Sequence, residues 1–225
     1  MKIKPTLFLR FFFLLTICYF PFLSNGQGLR NSHHDFVNAS WSGGESCRPC
    51  HTPHNADQTV PDSPLWNHQV TAATFQVYSS STMNSFPGQP TGYSKLCLSC
   101  HDGTVAIENH GTYTSGTTYA TFGNLTTNLQ DDHPVSFTYN SALASVDPGL
   151  HDPHTTLSGL GGTIEEDLLQ NGVLQCTSCH DVHLGRNVSG CSSCHTSGPG
   201  GMVTKSVSLW KTNDGSALCL TCHNK

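Results

Sequence analysis

The sequence predicts a chain of mostly irregular coil, with few short helices and little or no sheet, folded around something other than an aliphatic interior. Three observations predict it. Gly, Ser, Thr, Asn and Pro crowd the chain, with 21 glycines and 12 prolines in 225 residues. Long runs of Leu, Ile and Val are missing beyond Gly26, so little aliphatic surface is at hand to offset the entropy of ordering. Finally, cysteines recur in pairs, each pair followed directly by histidine.

The N-terminal stretch is set apart from that fold. Lys2, Lys4 and Arg10 make a basic start, an apolar run follows over 11–22, and Ser24-Asn25-Gly26 offers small residues for cleavage. That order is the order of a secretory signal peptide, here 1–26. A retained membrane anchor is the competing reading, but the run is short of the ~20 residues a spanning helix needs. Cys18 lies inside the run behind Ile17, where a lipid-attachment signal requires a small residue, so it is expected to leave with the signal. Beyond Gly26, seven of the ten basic residues and all 15 acidic ones remain, a net charge of −8. An acidic chain without a basic patch gives no reason to expect nucleic acid as a partner. No later run is long enough to cross a bilayer, so no membrane span is expected after cleavage.

The ten cysteines of the remaining chain all fall in one pentapeptide, Cys-x-x-Cys-His. Cys47 and Cys50 precede His51, Cys97 and Cys100 precede His101, and Cys176 and Cys179 precede His180. Cys191 and Cys194 precede His195, and Cys219 and Cys222 precede His223. This is the attachment signature of haem c: two thiols form thioethers to the porphyrin vinyl groups, and the histidine becomes the proximal iron ligand. A zinc site would need four ligands from paired motifs and would not require His after every pair. Five pairs cannot all be matched in twos. A disulfide framework predicts dispersed cysteines rather than five identical pairs. The expected cofactors are therefore five haems c, and the expected fold is a multihaem cytochrome c, a single pentahaem domain over 27–225 wrapped around a stacked chain of haems. Apolar porphyrin area, worth roughly 25 cal/mol per Å² when buried, would replace the missing aliphatic core.

Five of the 14 histidines are thereby assigned as proximal ligands. His34, His54, His68, His133 and His183 are the predicted distal ligands, with His33, His110, His151 and His154 in reserve. A His-His iron is closed to substrates and suits electron transfer rather than bond chemistry. His54 stands three residues after His51, and His183 three after His180. Neither can easily reach the far side of the iron held by its neighbour, so each is expected to ligate the iron of an adjacent haem and tie two irons together. Pro134 holds His133 in extended backbone. Trp66 and Phe36 stand near His68 and His34 as aromatic packing partners.

Regular structure should be sparse. The best helix runs over 163–171, with Thr163 and Glu166 spaced as a capping box and Gly172 as the stop. Short helical turns are expected after each motif, with 216–223 one candidate, and one or two short strands between Gly103 and Tyr139. The cysteine-free segment 102–175 is expected to wrap the haems.

On the residues Cys50-His51-Thr52-Pro53-His54-Asn55, Leu96-Cys97-Leu98-Ser99-Cys100-His101-Asp102-Gly103-Thr104, His133-Pro134-Val135-Ser136-Phe137, Cys176-Thr177-Ser178-Cys179-His180-Asp181-Val182-His183 and Cys219-Leu220-Thr221-Cys222-His223-Asn224-Lys225, the chain resembles the extracellular multihaem cytochromes of metal-reducing bacteria. It is most similar to tetrahaem members that polymerise into conductive filaments, over nearly all of the chain from about His33. The motif at Cys191 to His195 has no counterpart in the four-haem pattern and reads as an inserted fifth haem. The resemblance implies a continuous haem stack and subunits joined end to end, a homopolymer in which a histidine of one subunit can ligate a haem of the next. His33-His34, near a free N-terminus, would serve that junction.

The leading expectation is an electron-transfer protein, not an enzyme: a secreted subunit of an extracellular or cell-surface filament, exchanging electrons with redox proteins or extracellular acceptors. A monomeric periplasmic shuttle is the second reading. A multihaem reductase is the third, and it needs an open iron position, often signalled by Lys in place of the motif His. All five motifs here end in His.

Overall fold

The computed structural model describes Leu29 and residues 32–184 and 208–224. The signal peptide read at 1–26 and the fourth motif, Cys191, Cys194 and His195, lie outside the described residues.

Regular elements are short and far apart. In chain order they are β1 (Gln76–Val77), α1 (Gly92–His101), β2 (Asn128–Leu129), β3 (Phe137–Thr138), α2 (Ser141–Val146), α3 (Ile164–Leu168), β4 (Val173–Leu174) and α4 (Cys219–Cys222). Single 3-10 turns form at Cys176–Ser178 and Asp214–Ser216. β1 pairs parallel with β2, Gln76 against Asn128, and β3 pairs antiparallel with β4, Phe137 against Leu174. Everything else described is turn and coil. No described helix is long and apolar enough to cross a membrane.

Each described motif closes one helical turn. The His51 amide donates to the Cys47 carbonyl at 2.9 Å, His180 to Cys176 at 3.1 Å and His223 to Cys219 at 3.0 Å. The second motif is the last turn of α1. A helical turn brings positions i, i+3 and i+4 onto one face, so both sulfurs and the imidazole leave the backbone on the same side. The turns thus coincide with the motifs instead of following them, because the motif spacing is itself the spacing of a turn. At the C-terminus the expected helical stretch is present as the Asp214–Ser216 turn and α4.

α3 begins where the sequence places it. Thr163 accepts from the Glu166 amide and the Glu166 carboxylate accepts from the Thr163 amide, the two bonds of a capping box. It ends three residues early. Asn171 and Gly172 take positive φ, 53° and 75°, and Gln170 and Val173 exchange backbone hydrogen bonds of 3.0 Å. An Asn-Gly pair with both residues at positive φ makes a tight hairpin turn, and that turn outcompetes a further helical turn.

The apolar residues gather in three small clusters rather than one core. Tyr139, Ile164, Leu168 and Leu174 form the first, Val60, Trp66 and Leu96 the second, and Phe75, Leu98 and Leu129 the third. Partly buried motif cysteines border two of them, Cys222 the first and Cys50 the second. Replacing Thr163 by Ala should cost about 1 kcal/mol through loss of the cap; chemical denaturation of the protein measures it. If haem supplies the missing core, as the sequence leads one to expect, protein made without haem attachment should show no cooperative unfolding transition by circular dichroism.

Candidate haem-iron sites

Three of the motif histidines face three of the predicted distal ones. The ring centroids of His51 and His183 lie 6.1 Å apart, with planes inclined by 21°. His101 and His34 lie 5.9 Å apart at 58°, and His223 and His133 6.2 Å apart at 71°. A metal–imidazole nitrogen bond is about 2 Å. An imidazole corner lies roughly 1 Å from the ring centre. Two such bonds in line, with a ring at each end, span about 6 Å. The three separations match that span, and the differing tilts are allowed because rotation about an iron–nitrogen bond leaves the line of the two bonds unchanged. By contrast, His33 and Phe122, which stack directly, lie 4.3 Å apart at 10°.

The outward ring nitrogens are tied down. Nδ1 of His51 lies 2.6 Å from the Pro64 carbonyl oxygen, and Nδ1 of His101 lies 2.7 Å from that of Gly123. Nδ1 of His133 lies 2.9 Å from the Pro134 carbonyl, and Nδ1 of His183 lies 3.0 Å from the Asp181 carboxylate. A carbonyl or carboxylate can only accept, so each Nδ1 carries the hydrogen, and Nε2 is the nitrogen left over for another partner. Histidines that bind metals are oriented in this way. Asp181 stands two residues before His183, so that partner is readable from sequence. The carbonyls of Pro64 and Gly123 come from 13 and 22 residues away, and no local pattern announces them.

His34 is held neutral. Burial first, and the nearby His101 second, lower its pKa from the usual 6.5 to about 4. Between those values the unfolded chain takes up a proton that the folded chain refuses, so stability is lost as pH falls through that window. His154 runs the other way. Its hydrogen bond to the Glu165 carboxylate, 3.0 Å, raises its pKa, and as in His183 the nitrogen that meets the carboxylate is Nδ1.

The remaining histidines are placed as follows. His54 is exposed, and its main-chain carbonyl accepts from the Thr52 hydroxyl. His68 is 1 % exposed, with Nδ1 at 2.9 Å from the Gln69 carbonyl and Nε2 at 3.1 Å from that of Ala106 and 3.4 Å from Cys100 Sγ. Burial lowers its pKa. His110 turns Nδ1 to the Glu108 carbonyl and its ring towards Trp41, 6.0 Å away. The His151 amide donates to the Cys222 carbonyl at 2.9 Å. His180 bridges Leu209 through its backbone. His34 meets Phe36, and His68 meets Trp66, each at 6.3 Å edge to face.

Beside the first motif lies a cavity of about 950 Å³, lined by Cys47, Arg48, His51, Trp41, His110 and Tyr113 among others. That is at the upper end of the range for small-molecule and cofactor pockets. The mix of thiol, imidazole and aromatic walls suits a flat apolar macrocycle. Among the described residues no group of three or more His, Cys, Asp and Glu is arranged to hold a metal ion. A porphyrin brings four nitrogens of its own and asks the protein for only two. Three of the thiols lack the character of reactive or zinc-bound sulfur, which is thiolate. Burial pushes Cys50 up to about 11 and Cys222 to about 11, and it raises Cys100 further, whereas side-chain hydrogen bonding lowers Cys176.

If the His51–His183 pair holds a haem iron, replacing His183 by Ala should convert one haem of the loaded protein from low-spin to high-spin, seen by electron paramagnetic resonance. The denaturation midpoint should fall as pH is lowered from 6.5 towards 4. Compared with known proteins, the chain matches no family model and no curated sequence, so its motifs and its paired imidazoles are what support a reading of the site.

Proposed function

We propose that this chain is an electron-transfer protein holding five haems c by thioether and His-His ligation, and that it works as a subunit of an extracellular conductive filament. The observation that carries the electron-transfer reading is the set of three imidazole pairs. In each, one partner closes a Cys-x-x-Cys-His turn and the other arrives from a remote part of the chain, with ring centres 5.9 to 6.2 Å apart. Haem held by such a pair of imidazoles would supply a one-electron couple there.

The chain's own residues do the rest. His51, His101, His180, His195 and His223 are the proximal donors, and His34, His133 and His183 close the sixth positions of three. Pro64, Gly123, Pro134 and Asp181 fix the ring orientations through Nδ1. A donor set held on both sides reorganises little when charge changes, which favours fast transfer over substrate binding. The reductase reading would need one of the two irons outside these three pairs to keep an open side. His54, His68, His110, His151, His154 and His33 remain candidates for the other two irons, within the subunit or across a filament junction. Secretion by a signal at 1–26 and assembly into a homopolymer belong to the same proposal, and the monomeric shuttle is its alternative.

Intact-mass analysis of the secreted protein should show a chain shortened at its N-terminus and carrying the mass of five haems. Electron microscopy of the same material should show filaments. Monomers that stay dispersed at high concentration would leave the shuttle; a mass without haem would remove the whole reading.

A further inference from the structure

The end of the second motif is clasped by one short stretch of the segment that follows it, residues 122–125. The Gly123 carbonyl lies 2.7 Å from Nδ1 of His101, and the Leu125 amide donates to the His101 carbonyl at 2.7 Å. Gly123 holds φ at +66°, and a Cβ there would stand 3.3 Å from Nδ1 and 3.4 Å from Cε1 of His101. Glycine adopts that backbone freely and lets the carbonyl come close to the ring. The Asn124 side chain covers Gly103, where a Cβ would meet it at 2.7 Å. Phe122 turns the other way. Its ring stacks on His33, with centroids 4.3 Å apart and planes inclined by 10°. His33 is the neighbour of His34, whose ring faces His101 at 5.9 Å. The His34 amide donates to the Ser32 hydroxyl at 3.1 Å, a local bond. The Phe122 ring ties that stretch to the segment that clasps His101. Phe122 is 46 % exposed, so its ring adds little to the apolar clusters.

We infer that Phe122 and Gly123 are positioning residues for the second iron: Gly123 orients the proximal imidazole through Nδ1, and Phe122 keeps His34 in place on the far side through His33. The inference rests on the haem reading above and adds to it the residues that hold one ligand pair closed. Neither residue touches the iron, and both act through a histidine. A carbonyl that accepts from Nδ1 makes the imidazole a stronger donor at its other nitrogen, which favours the ferric state. Two flat rings in contact restrain the chain at His33, and His34, next along it, has little freedom to swing away. The His33-His34 pair, which the family resemblance places at a junction between subunits, is thereby fastened to the second motif of its own chain.

The test uses the full-length holo-protein, with five haems confirmed by intact mass in each variant. Carbon monoxide binds a ferrous haem only where an axial histidine has left, so its uptake reports how firmly His34 is held. His34→Ala should take up one equivalent more than the wild type, without delay. Phe122→Ala should speed uptake at one haem several-fold, whereas Phe122→Tyr, which keeps the flat ring, should restore the wild-type rate. Phe86→Ala, at a ring 94 % exposed, should change nothing. With His34 already replaced, Phe122→Ala should add no further effect, as expected of two groups that act through one contact. Gly123→Ala should move the potential of one haem to more positive values. Uptake in Phe122→Ala equal to the wild type's, a further acceleration in the His34→Ala background, or an unmoved potential in Gly123→Ala would overturn the inference. A wild type without haem, or a His34→Ala variant that takes up no more carbon monoxide than the wild type, would remove the ligand pairing itself and the inference with it.

Discussion

The constraint on which this structure depends is the turn made by Cys-x-x-Cys-His. One backbone hydrogen bond closes it, and that single turn aims two sulfurs and an imidazole in one direction. The geometry is local and cheap, so it can be repeated along a chain that has few other instructions. On the proposed ligation, what it cannot supply is the opposite ligand, and among the described residues three turns are met by an imidazole from elsewhere: His34 at His101, His183 at His51, His133 at His223.

That requirement accounts for the scarcity of regular structure. A helix or sheet satisfies its own backbone and builds a continuous apolar face, whereas this chain spends its length on reaching across. Three small apolar clusters and a scatter of side-chain-to-backbone bonds hold the turns in place. The polar residues whose abundance resembles the composition of disorder are used as local anchors. Ser94 and Gln175 tie two motifs, the Thr71 hydroxyl donates to the buried Asp102 carboxylate, and Tyr139 donates to the carbonyls of His151 and Cys222.

Much of the site is legible in the sequence, because its chemistry is written in adjacent residues. The motif marks His51, His101, His180 and His223, and the sequence expects His183 beside a motif other than its neighbour's; it stands opposite His51. Pro134 singles out His133 and Phe36 singles out His34, and both histidines stand opposite motif rings. The pairing itself is not legible, since it depends on the long path the chain takes between partners. The carbonyls of Pro64 and Gly123 are invisible for the same reason. α3 shows how a local signal can point two ways. Asn171-Gly172 suits both a helix stop and a hairpin turn, and the strand pairing of Val173 and Leu174 with Phe137 and Thr138 decides for the hairpin. His68 is among the ligands the sequence favours, and it is deeply buried with both ring nitrogens against carbonyl oxygens.

Diffraction from the holo-protein at the iron absorption edge tests the central claim most directly. The account predicts anomalous peaks midway between His51 and His183, between His34 and His101, and between His133 and His223, each on the line joining two Nε2 atoms. Peaks elsewhere, or these imidazoles facing one another with no iron between them, would contradict it.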